Sequence, residues 1–597
     1  MRLLAFPMKL PLLLTAALAL SLAPLRTVAL DLPAEGTDLD VAAELQASVG
    51  EGSGRVTVTP PGKGIEVTSA DPARPYAAQF GAPFSGGAAK GERLVAVIRA
   101  RTVGEEKNGE LIAKLQLRES PYTAYAPTAA IGVLPEWTDL PVTFVADEAI
   151  PAGKAALVLF CGHREQHIEV ESIKLFRYPG TTDLTIFPRA KAMLRTYEGR
   201  EPDAPWRKAA LERIEQHRKA DLSLTVTGAD GAPLSDKAVS LSLRRHEFGF
   251  GSAVVARRFS GESEEDRRYR EIVDRLFSIV VFENDLKDGN WSPDFPAERR
   301  TARNADLDTA FAWLEERRIA VRGHYLMQVA TPYNLQNITD PAVIREGTLA
   351  SVRERLAFVK DRVTEWDVIN HPIAWEGAPM LNRIPGLEQL DRDVFTLGRS
   401  LTKLPFFVNE DQVFRPGPQC DGTFAYIESL IADGHRVDGL GNQAHFHESY
   451  LPSPEHLLAV TDRFATLVPH QSITEYDIVT TDDEMLAADY TRDVLIAVFS
   501  HPAYTSFLFW GFWEGSHWIP AAASWNLDWS IRPRGEVIEE WIGKRWHTAL
   551  EAQTDKAGKI AWRGFPGWYE VTIDGQTRLV ELSGESPIAA LSLPAES

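Results

Sequence analysis

Eight short apolar runs that alternate with longer amphipathic stretches constrain the fold of this chain more than any other feature. The runs lie at residues 247–251, 278–282, 320–323, 365–369, 405–408, 437–441, 471–474 and 506–510. Apolar residues at helical spacing mark the stretches between them, for example 302–318 and 343–363. Eight β/α repeats within about 300 residues predict a (β/α)8 TIM barrel. An open doubly wound sheet is the rival fold, but it usually carries a G-x-G-x-x-G turn after its first strand, and this sequence has none.

The segment before the barrel is rich in strand signals. Residues 30–178 hold short β-rich runs that Gly, Pro and Asp separate, which is typical of an all-β sandwich or barrel. The last run, 167–177, resembles the final strand of jelly-roll carbohydrate-binding modules, although a purely structural sandwich explains it equally well. Residues 206–220 then carry helical spacing, so we interpret 179–220 as a helical linker.

The barrel domain is placed at residues 221–547, and a second β segment follows it. Residues 548–597 return to strand signals, with Asp574-Gly575 between two runs. Because Asp-Gly is a strong signal for a two-residue hairpin turn, we expect a small β appendage at this end.

Residues 1–29 resemble a secretory signal peptide. Arg2 and Lys9 supply positive charge, 10–22 is apolar, and small residues close the segment at 27–29. A membrane anchor is the rival interpretation, but the apolar run is short for a span of about 20 residues. We therefore expect a secreted or periplasmic protein, with no stable membrane insertion of the mature chain.

Composition excludes several classes of protein. Among the 597 residues, 83 Asp and Glu outnumber 63 Lys and Arg, giving a formal net charge of −20. An acidic surface repels phosphate backbones, so no nucleic-acid partner is expected. The two cysteines, Cys161 and Cys420, are too few for a disulfide scaffold or a C-x-x-C metal site, and nothing in the sequence favours a bridge between them.

Polar and aromatic residues follow the predicted barrel strands. In a TIM barrel these positions share the carboxyl-terminal rim, where active sites form. Carboxylates, amides, imidazoles and indoles together suit a sugar, because amides bind hydroxyls, indoles stack on rings and carboxylates act at the anomeric carbon. The rim residues are Glu283, Asn284, Lys287, Arg322, His324, Asn370, His371, Asn409, Glu410, Gln443, His445, Glu475, Trp510, Trp513 and Trp518. A carbohydrate site of this kind requires no cofactor.

Six motifs in this rim, taken in order, resemble glycoside hydrolase family 10, the retaining endo-1,4-β-xylanases. The family patterns are E-N-x-x-K, V-R-G-H, W-D-V-x-N-E, D-G-x-G-x-Q-x-H, I-T-E-x-D and W-G with a later S-x-W. They are matched at 283–287, 321–324, 438–445, 473–477, 510–511 and 516–518, and at 366–371 except for His in place of the final Glu. The resemblance spans about 300 residues, the whole of the predicted barrel.

The resemblance implies a role for each matched residue. Glu475 corresponds to the nucleophile, and Asn370 to the residue that binds the sugar 2-OH. Residues implied in substrate binding are Glu283, Asn284, Lys287, His324, Gln443, His445, Trp510 and Trp518. His445 is also implied to orient Glu475. A rim salt bridge for Glu475 and core packing for the two Trp residues are the structural alternatives.

The largest departure from the family pattern is His371, which stands where the family has its acid/base Glu. Three interpretations stay open. His371 itself serves as acid/base, a nearby carboxylate (Glu376, Glu410 or Asp411) replaces it, or the cleft binds glycans without cleaving them. An imidazole with a pKa near ~6.5 is able to exchange protons, but when protonated it carries a charge that a carboxylic acid lacks.

A second departure follows His324. Gln328 and Val329 occupy the positions of a Trp-His pair in the family, which predicts an altered substrate preference. Four imidazoles are enough to bind zinc, and this rim has His324, His371, His445 and His447. The family roles already account for His324 and His445, so no metal is expected. The sequence predicts a secreted retaining hydrolase of internal β-1,4 bonds in xylan or a related plant polysaccharide. A glycan-binding pseudoenzyme is the alternative.

Overall fold

A computed structural model gives the structure of this protein. It describes residues 32–593 except 60–61, 72, 104–108, 127, 184–186, 188–195, 292–294, 375–376, 449 and 481–482. The predicted signal peptide, 1–29, lies outside the described residues. The chain divides into two compact units, residues 1–194 and 195–597. Within the described ranges, no helix combines the length and the apolar character needed to cross a membrane.

The first unit is a sandwich of two antiparallel sheets. One sheet has the order β3-β4-β11-β6-β9, with β1 also paired to β11, and the other has the order β2-β5-β10-β7-β8. Alternate apolar residues such as Ile65, Leu94 and Leu157 are fully buried between them. The prediction of an all-β sandwich is confirmed. Its strands are β1 Thr37–Asp38, β2 Gln46–Val49, β3 Gly54–Thr59, β4 Gly62–Val67, β5 Ala78–Pro83, β6 Arg93–Thr102, β7 Gly109–Leu117, β8 Ala129–Val133, β9 Thr138–Val145, β10 Ala155–Phe160 and β11 Gln166–Tyr178.

The second unit opens with a helix and two strands that precede the barrel. These are α1 Pro205–His217, β12 Ala220–Thr227 and β13 Ala238–His246. Helix α1 covers most of the predicted helical stretch. Buried Arg207 on α1 pairs with Asp493, at 2.6 Å between Nη2 and Oδ2.

The centre of the second unit is a closed parallel barrel of eight strands. Its nine-stranded sheet includes one short extra strand, β20, and the pairings of β14 with β22 and of β19 with β21 close the ring. Each apolar run predicted from the sequence overlaps one barrel strand, so the predicted TIM barrel is confirmed. The strands are β14 Gly249–Val254, β15 Ile279–Phe282, β16 Ala320–Gln328, β17 Glu365–Asn370, β18 Phe406–Glu410, β19 Gly439–Asn442, β20 His445–His447, β21 His470–Val479 and β22 Tyr504–Phe509.

Helices connect these strands and cover the outside of the barrel. Several begin at residues whose side chains satisfy backbone amides: Ser263 and Asp266 form a capping box on α3, and Asp340 and Ser453 cap α6 and α9. The helices are α2 Arg257–Ser260, α3 Glu264–Leu276, α4 Asp288–Trp291, α5 Ala297–Glu316, α6 Pro341–Val359, α7 Leu390–Leu401, α8 Pro418–Ala432, α9 Pro454–Phe464, α10 Glu484–Ser500 and α11 Pro533–Glu540.

The strands after the barrel pair with the strands before it, which corrects the predicted boundaries. They are β23 Ala549–Gln553, β24 Lys559–Gly564, β25 Gly567–Ile573, β26 Gln576–Leu582 and β27 Ile588–Ser592. Strand β12 pairs with β24 and β27, and β13 pairs with β23 and β25. The first barrel strand begins at Gly249, within the predicted run 247–251, whereas β12 and β13, which the predicted domain 221–547 includes, share two sheets with the strands of 549–592.

Two smaller sequence features have clear outcomes. Asp574 and Gly575 both have positive φ, 49° and 76°, and they join β25 to β26 as the predicted hairpin turn. Cys161 and Cys420 are both buried and free.

Candidate active site

The structure brings the predicted rim residues together at the carboxyl ends of the barrel strands. Since the strands are parallel, their final residues converge on one end of the barrel. The contributions are Glu283, Asn284 and Lys287 after β15; His324 on β16; Asn370 and His371 at the end of β17; Glu410 on β18; Gln443 after β19; His445 on β20; Glu475 on β21; and Trp510 and Trp518 after β22.

Glu475 is a buried carboxylate of this end, and both of its oxygens accept hydrogen bonds. It is 5% exposed; its Oε1 accepts a hydrogen bond from Asn409 Nδ2 at 2.7 Å, and its Oε2 accepts one from His445 Nε2 at 3.3 Å. Burial alone raises the pKa of Glu475, but the His445 hydrogen bond and the charges of His324, His445 and Lys287 outweigh it and lower the pKa to about 2. The carboxylate is thus ionised and oriented, as a nucleophile requires.

His445 is held between two carboxylates. Its Nδ1–H donates to Asp477 Oδ1 at 2.9 Å, and Asp477 Oδ2 also accepts a hydrogen bond from Trp518 Nε1 at 2.7 Å. Although burial disfavours the imidazolium, the charges and hydrogen bonds of Asp477 and Glu475 raise the pKa of His445 well above its ordinary value. His445 is therefore a cation that fixes the Oε2 side of Glu475.

A chain of amides extends from Glu475 across the rim, and the carboxylate sets its direction. Because Glu475 only accepts, Asn409 must donate to it through Nδ2, and the same nitrogen donates to Asn370 Oδ1 at 2.9 Å. Asn370 Oδ1 also accepts from Gln443 Nε2 at 3.0 Å, while Asn370 Nδ2 donates to Gln328 Oε1 at 3.2 Å. Each amide orientation in this chain follows from the ionised Glu475.

His371 lies at the far end of this chain, in contact with Glu410. Its Nδ1 is 3.2 Å from Glu410 Oε1, its Nε2 is 3.3 Å from Gln443 Nε2, and its backbone has a positive φ of 48°. Burial lowers the pKa of His371, but the hydrogen bond and charge of Glu410 and the charges of Glu475 and Asp411 raise it above its ordinary value overall.

The three carboxylates considered as replacements for His371 have different positions. Glu376 lies outside the described residues. Glu410 is 1% exposed and accepts from the backbone amides of Asp411, Ile373 and Ala374 at 2.8, 2.7 and 3.1 Å, besides His371. Both carboxylate oxygens of Glu410 therefore accept hydrogen bonds. Burial raises the pKa of Asp411, against the opposing charges of His445 and His371.

A cavity of about 250 Å³ opens at this end of β17 and β18. Its lining residues are His371, Ala374, Glu410, Asp411, Gln412 and Gln419. His371 and Glu410 therefore both line a space next to the rim, although Glu410 is only 1% exposed.

His324 is fixed from behind by a buried ion pair. Its Nδ1–H donates to Asp367 Oδ2 at 2.9 Å, and Asp367 also accepts from Arg322, which is fully buried and pairs with Glu365 as well. His324 Nδ1 is 4.0 Å from Glu475 Oε1. The guanidinium thus anchors Asp367, and Asp367 sets the orientation of the His324 ring beside Glu475.

The residues predicted to bind the substrate lie beside Glu475. Glu283 and Lys287 are partly buried and Asn284 is exposed. Burial raises the pKa of Glu283, while the charge of Lys287 opposes the rise. The Lys287 ammonium is 5.5 Å from the centre of the Trp510 ring.

The two tryptophans have different environments. Trp510 is 4% exposed, packs with Leu508 and Val281, and contacts the His324 ring edge to face at 5.1 Å. Trp518 is 52% exposed, and its ring centre is 5.2 Å from that of His445. Trp510 therefore closes the barrel interior beneath the rim, and Trp518 offers an open aromatic face.

Comparison with known proteins identifies the family of the barrel domain. Residues 240–533 match the model of Glycosyl hydrolase family 10. This chain contains a glycosyl hydrolase family 10 domain. Within the described ranges, no group of three or more His, Cys, Asp or Glu side chains is arranged to hold a metal ion.

Similar proteins carry two kinds of name. Anti-sigma-I factor RsgI6 of Acetivibrio thermocellus is 29% identical over 62% of this chain and 46% of its own length. Endo-1,4-beta-xylanase 5-like of Arabidopsis thaliana is 23% identical over 59% of this chain and 60% of its own length. The chain spans about half the length of the curated relatives it matches. Native xylanase 10B from Thermotoga maritima aligns with a TM-score of 0.43 and 19% identity over 50% of this chain and 96% of its own.

Three residues of the family 10 domain have contacts that sequence reasoning did not assign. Asn409 binds Glu475 directly, Asp477 holds His445, and Asp367 holds His324. Each lies in or beside a motif, and Asp477 stands two residues after Glu475 on a strand, where side chains share one face. That spacing was an available signal for Asp477, whereas the contact of Asn409 depends on the pairing of β18 with its neighbours.

Proposed function

We propose that the family 10 domain hydrolyses internal β-1,4 bonds of xylan or a related plant polysaccharide with retention of anomeric configuration. Glu475 is the nucleophile in this proposal. The observation that carries it is the environment of that carboxylate: buried, ionised, and held by Asn409 on one oxygen and His445 on the other. A structural salt bridge needs no amide chain on its partner oxygen, but a nucleophile that must attack one carbon needs a fixed direction.

Substrate contacts follow from the neighbours of Glu475. Asn370 lies between Asn409 and Gln443, a position from which its amide is suited to bind the sugar 2-OH beside the anomeric carbon. Glu283, Asn284 and Lys287 supply charged and hydrogen-bonding groups for further sugar units, and Trp518 supplies a stacking face. The polysaccharide is the partner that these groups suit.

The experiment compares the whole chain with its Glu475→Gln variant on xylan and on aryl β-xylobiosides. The amide keeps the shape of the side chain but does not form a stable glycosyl ester, so kcat falls by roughly 10⁶-fold. Glu428→Gln, an exposed change on α8, is the matched control. Equal rates in wild type and Glu475→Gln contradict the proposal.

A second candidate function is glycan binding without hydrolysis, and His371 favours it because the family pattern has Glu at that position. Calorimetry with xylohexaose separates the two. Tight binding with no product from wild type on any substrate supports the binding protein, whereas turnover that Glu475→Gln abolishes supports the hydrolase.

Export is a separate part of the proposal. We infer from the basic start and the apolar run within residues 1–29 that the chain is carried out of the cytoplasm, where it meets polysaccharides. Expression with its own leader, followed by N-terminal sequencing of the exported protein, tests this. Cleavage near residue 29 supports it, and an intact N-terminus inside the cell contradicts it.

A further inference from the structure

The contact between His371 and Glu410 gives the anomalous histidine a chemical role. Glu410 ends β18 and His371 follows the last residue of β17, so the pairing of these neighbouring strands brings the two side chains together. The ring nitrogen that faces Glu410 Oε1 is Nδ1, at 3.2 Å. A carboxylate at this distance accepts a hydrogen bond from Nδ1–H and fixes the ring, as in other imidazole–carboxylate pairs.

Glu410 is itself immobilised, which makes the pair a fixed unit. Its Oε2 accepts two backbone amides, from Ile373 and Ala374, and its Oε1 accepts the amide of Asp411 as well as the imidazole. These donors hold both oxygens of the carboxylate and leave it no freedom to reach a sugar. Its negative charge acts on the cleft through His371.

The other ring nitrogen, Nε2, faces the reacting side of the rim. It is 3.3 Å from Gln443 Nε2, and the same amide nitrogen donates to Asn370, the residue proposed to bind the sugar 2-OH. The amide chain from Glu475 fixes that nitrogen as a donor, so in the neutral form of His371 Nε2 accepts from it and the ring proton is on Nδ1. Nε2 is therefore the position at which a proton is gained and lost.

The charges around His371 favour its protonated form. Glu410 and Asp411 face it from β18 and the residue after it, and Glu475 acts from β21. His445 on β20 is the neighbouring cation, and it lies against Glu475 and Asp477. The sum of these charges raises the pKa of His371 against the effect of burial.

We propose that His371 and Glu410 together form the acid/base of this cleft, with His371 exchanging the proton through Nε2 and Glu410 as its positioning residue. The inference rests on the proposed function of the domain. In the family pattern a carboxylate stands at position 371 itself. Here the carboxylate is Glu410 on the neighbouring strand β18, and it acts through the imidazole of His371.

Hydrolysis through this pair takes two steps. In the first, Glu475 attacks the anomeric carbon, the bond from that carbon to the leaving oxygen breaks, and the Nε2 proton passes to that oxygen. In the second, water attacks the same carbon, its proton passes to Nε2, and the ester to Glu475 breaks. Glu475 returns as a carboxylate and His371 as an imidazolium, so no further reactant is needed.

Replacing the carboxylate tests the pair through pH dependence. In Glu410→Gln the negative charge is gone, so the pKa of His371 falls and the alkaline limb of kcat/KM moves to lower pH. Glu428→Gln on α8 leaves the limb in place. A Glu410→Gln profile with an unmoved alkaline limb overturns the proposal. Because Glu410→Asp keeps the negative charge, its alkaline limb should lie closer to that of wild type than the limb of Glu410→Gln does.

Leaving-group dependence tests His371 itself. His371→Asn loses roughly 10²–10⁴-fold on phenyl β-xylobioside, which needs an acid, and far less on the first step with 2,4-dinitrophenyl β-xylobioside, which does not. Exposed His470→Asn is the control. If Asp411→Asn gives this pattern and His371→Asn does not, Asp411 is the acid and the proposal is wrong.

A direct titration keeps the proposal testable if a variant loses activity. NMR of histidine-labelled protein, with the His371 signal assigned by its loss in His371→Asn, gives the pKa of the ring in wild type and Glu410→Gln. The proposal predicts a lower value in Glu410→Gln, and equal values contradict it. Wild type that is active but insensitive to both substitutions contradicts the pair alone, whereas wild type inert on the dinitrophenyl glycoside contradicts the proposed function as well.

Discussion

The ionisation of Glu475 depends on its neighbours rather than on its burial. A carboxyl group at 5% exposure has a raised pKa when nothing compensates for desolvation. Here the His445 hydrogen bond and the nearby cations reverse that effect and bring the pKa to about 2. The group thus stays ionised throughout the pH range above that value.

Replacing His445 tests how the pKa of Glu475 is lowered. In His445→Asn the hydrogen-bonding cation is lost, so the pKa of Glu475 rises and the nucleophile becomes protonated at higher pH. The acidic limb of kcat/KM on an aryl β-xylobioside therefore moves to higher pH, because that limb follows the ionisation of the free enzyme. His470→Asn, at the exposed start of β21, leaves it in place. An acidic limb that does not move in His445→Asn contradicts this explanation.

Single residues also mark the limits of prediction from sequence. Glu475 and Asp477 stand two apart on a strand, so their common face follows from the pleat. The hydrogen bonds of Glu410 do not follow from any local pattern. Its partners are the backbone amides of Ile373 and Ala374 and the imidazole of His371, which all lie after the neighbouring strand β17. Sequence reasoning had Glu410 as a possible acid, and its contacts give it a supporting position instead.

The barrel strands were predictable at the scale of elements because each is a short, buried apolar run followed by polar residues. Strands β12 and β13 lie almost wholly within the predicted barrel domain 221–547, but none of the eight predicted barrel runs falls on them. Their partners β23 to β25 lie about 300 residues away in the sequence, and no local signal encodes such a pairing.

Helix α1 provides a test of how an element is attached to the barrel. Arg207 Nε and Nη2 donate to Asp493 Oδ1 and Oδ2 at 3.0 and 2.6 Å, and Tyr197 also donates to this fully buried aspartate. Arg207→Met leaves Asp493 with less compensation and lowers the free energy of unfolding of the second unit by about 3 kcal/mol, the low end for a broken buried pair because Arg492 remains.

Chemical denaturation followed by circular dichroism measures this loss. Exposed Lys208→Met, the next residue on the same helix, is the control and should change stability by less than about 0.5 kcal/mol. Equal stabilities of the two variants would show that the ion pair contributes nothing to the attachment of α1.

At the scale of the whole molecule, the two ends of the second unit fold as one β structure. Leu224 and Val226 of β12 and Val239 of β13 are fully buried, and so are Tyr569 and Val571 of β25. These side chains belong to the same continuous apolar core as the barrel. The C-terminal strands are therefore an integral part of the fold of the second unit.

Truncation tests whether the C-terminal strands are an integral part of the second unit or an independent extension. A chain of residues 196–597 should fold and unfold in one cooperative transition, because the sandwich has its own separate core. A chain of residues 196–547 loses the partners of β12 and β13, exposes their apolar faces, and should aggregate or melt at markedly lower temperature. Equal melting temperatures of the two chains, measured by calorimetry, contradict the shared fold.

The central claim is that Glu475 attacks the anomeric carbon, and covalent trapping tests it most directly. Incubation with 2,4-dinitrophenyl 2-deoxy-2-fluoro-β-xylobioside, followed by peptide mass spectrometry, needs no proton from the enzyme and so is independent of His371. We predict a single glycosyl ester, located on Glu475. An adduct on another residue, or no adduct in an otherwise folded wild-type protein, would contradict it.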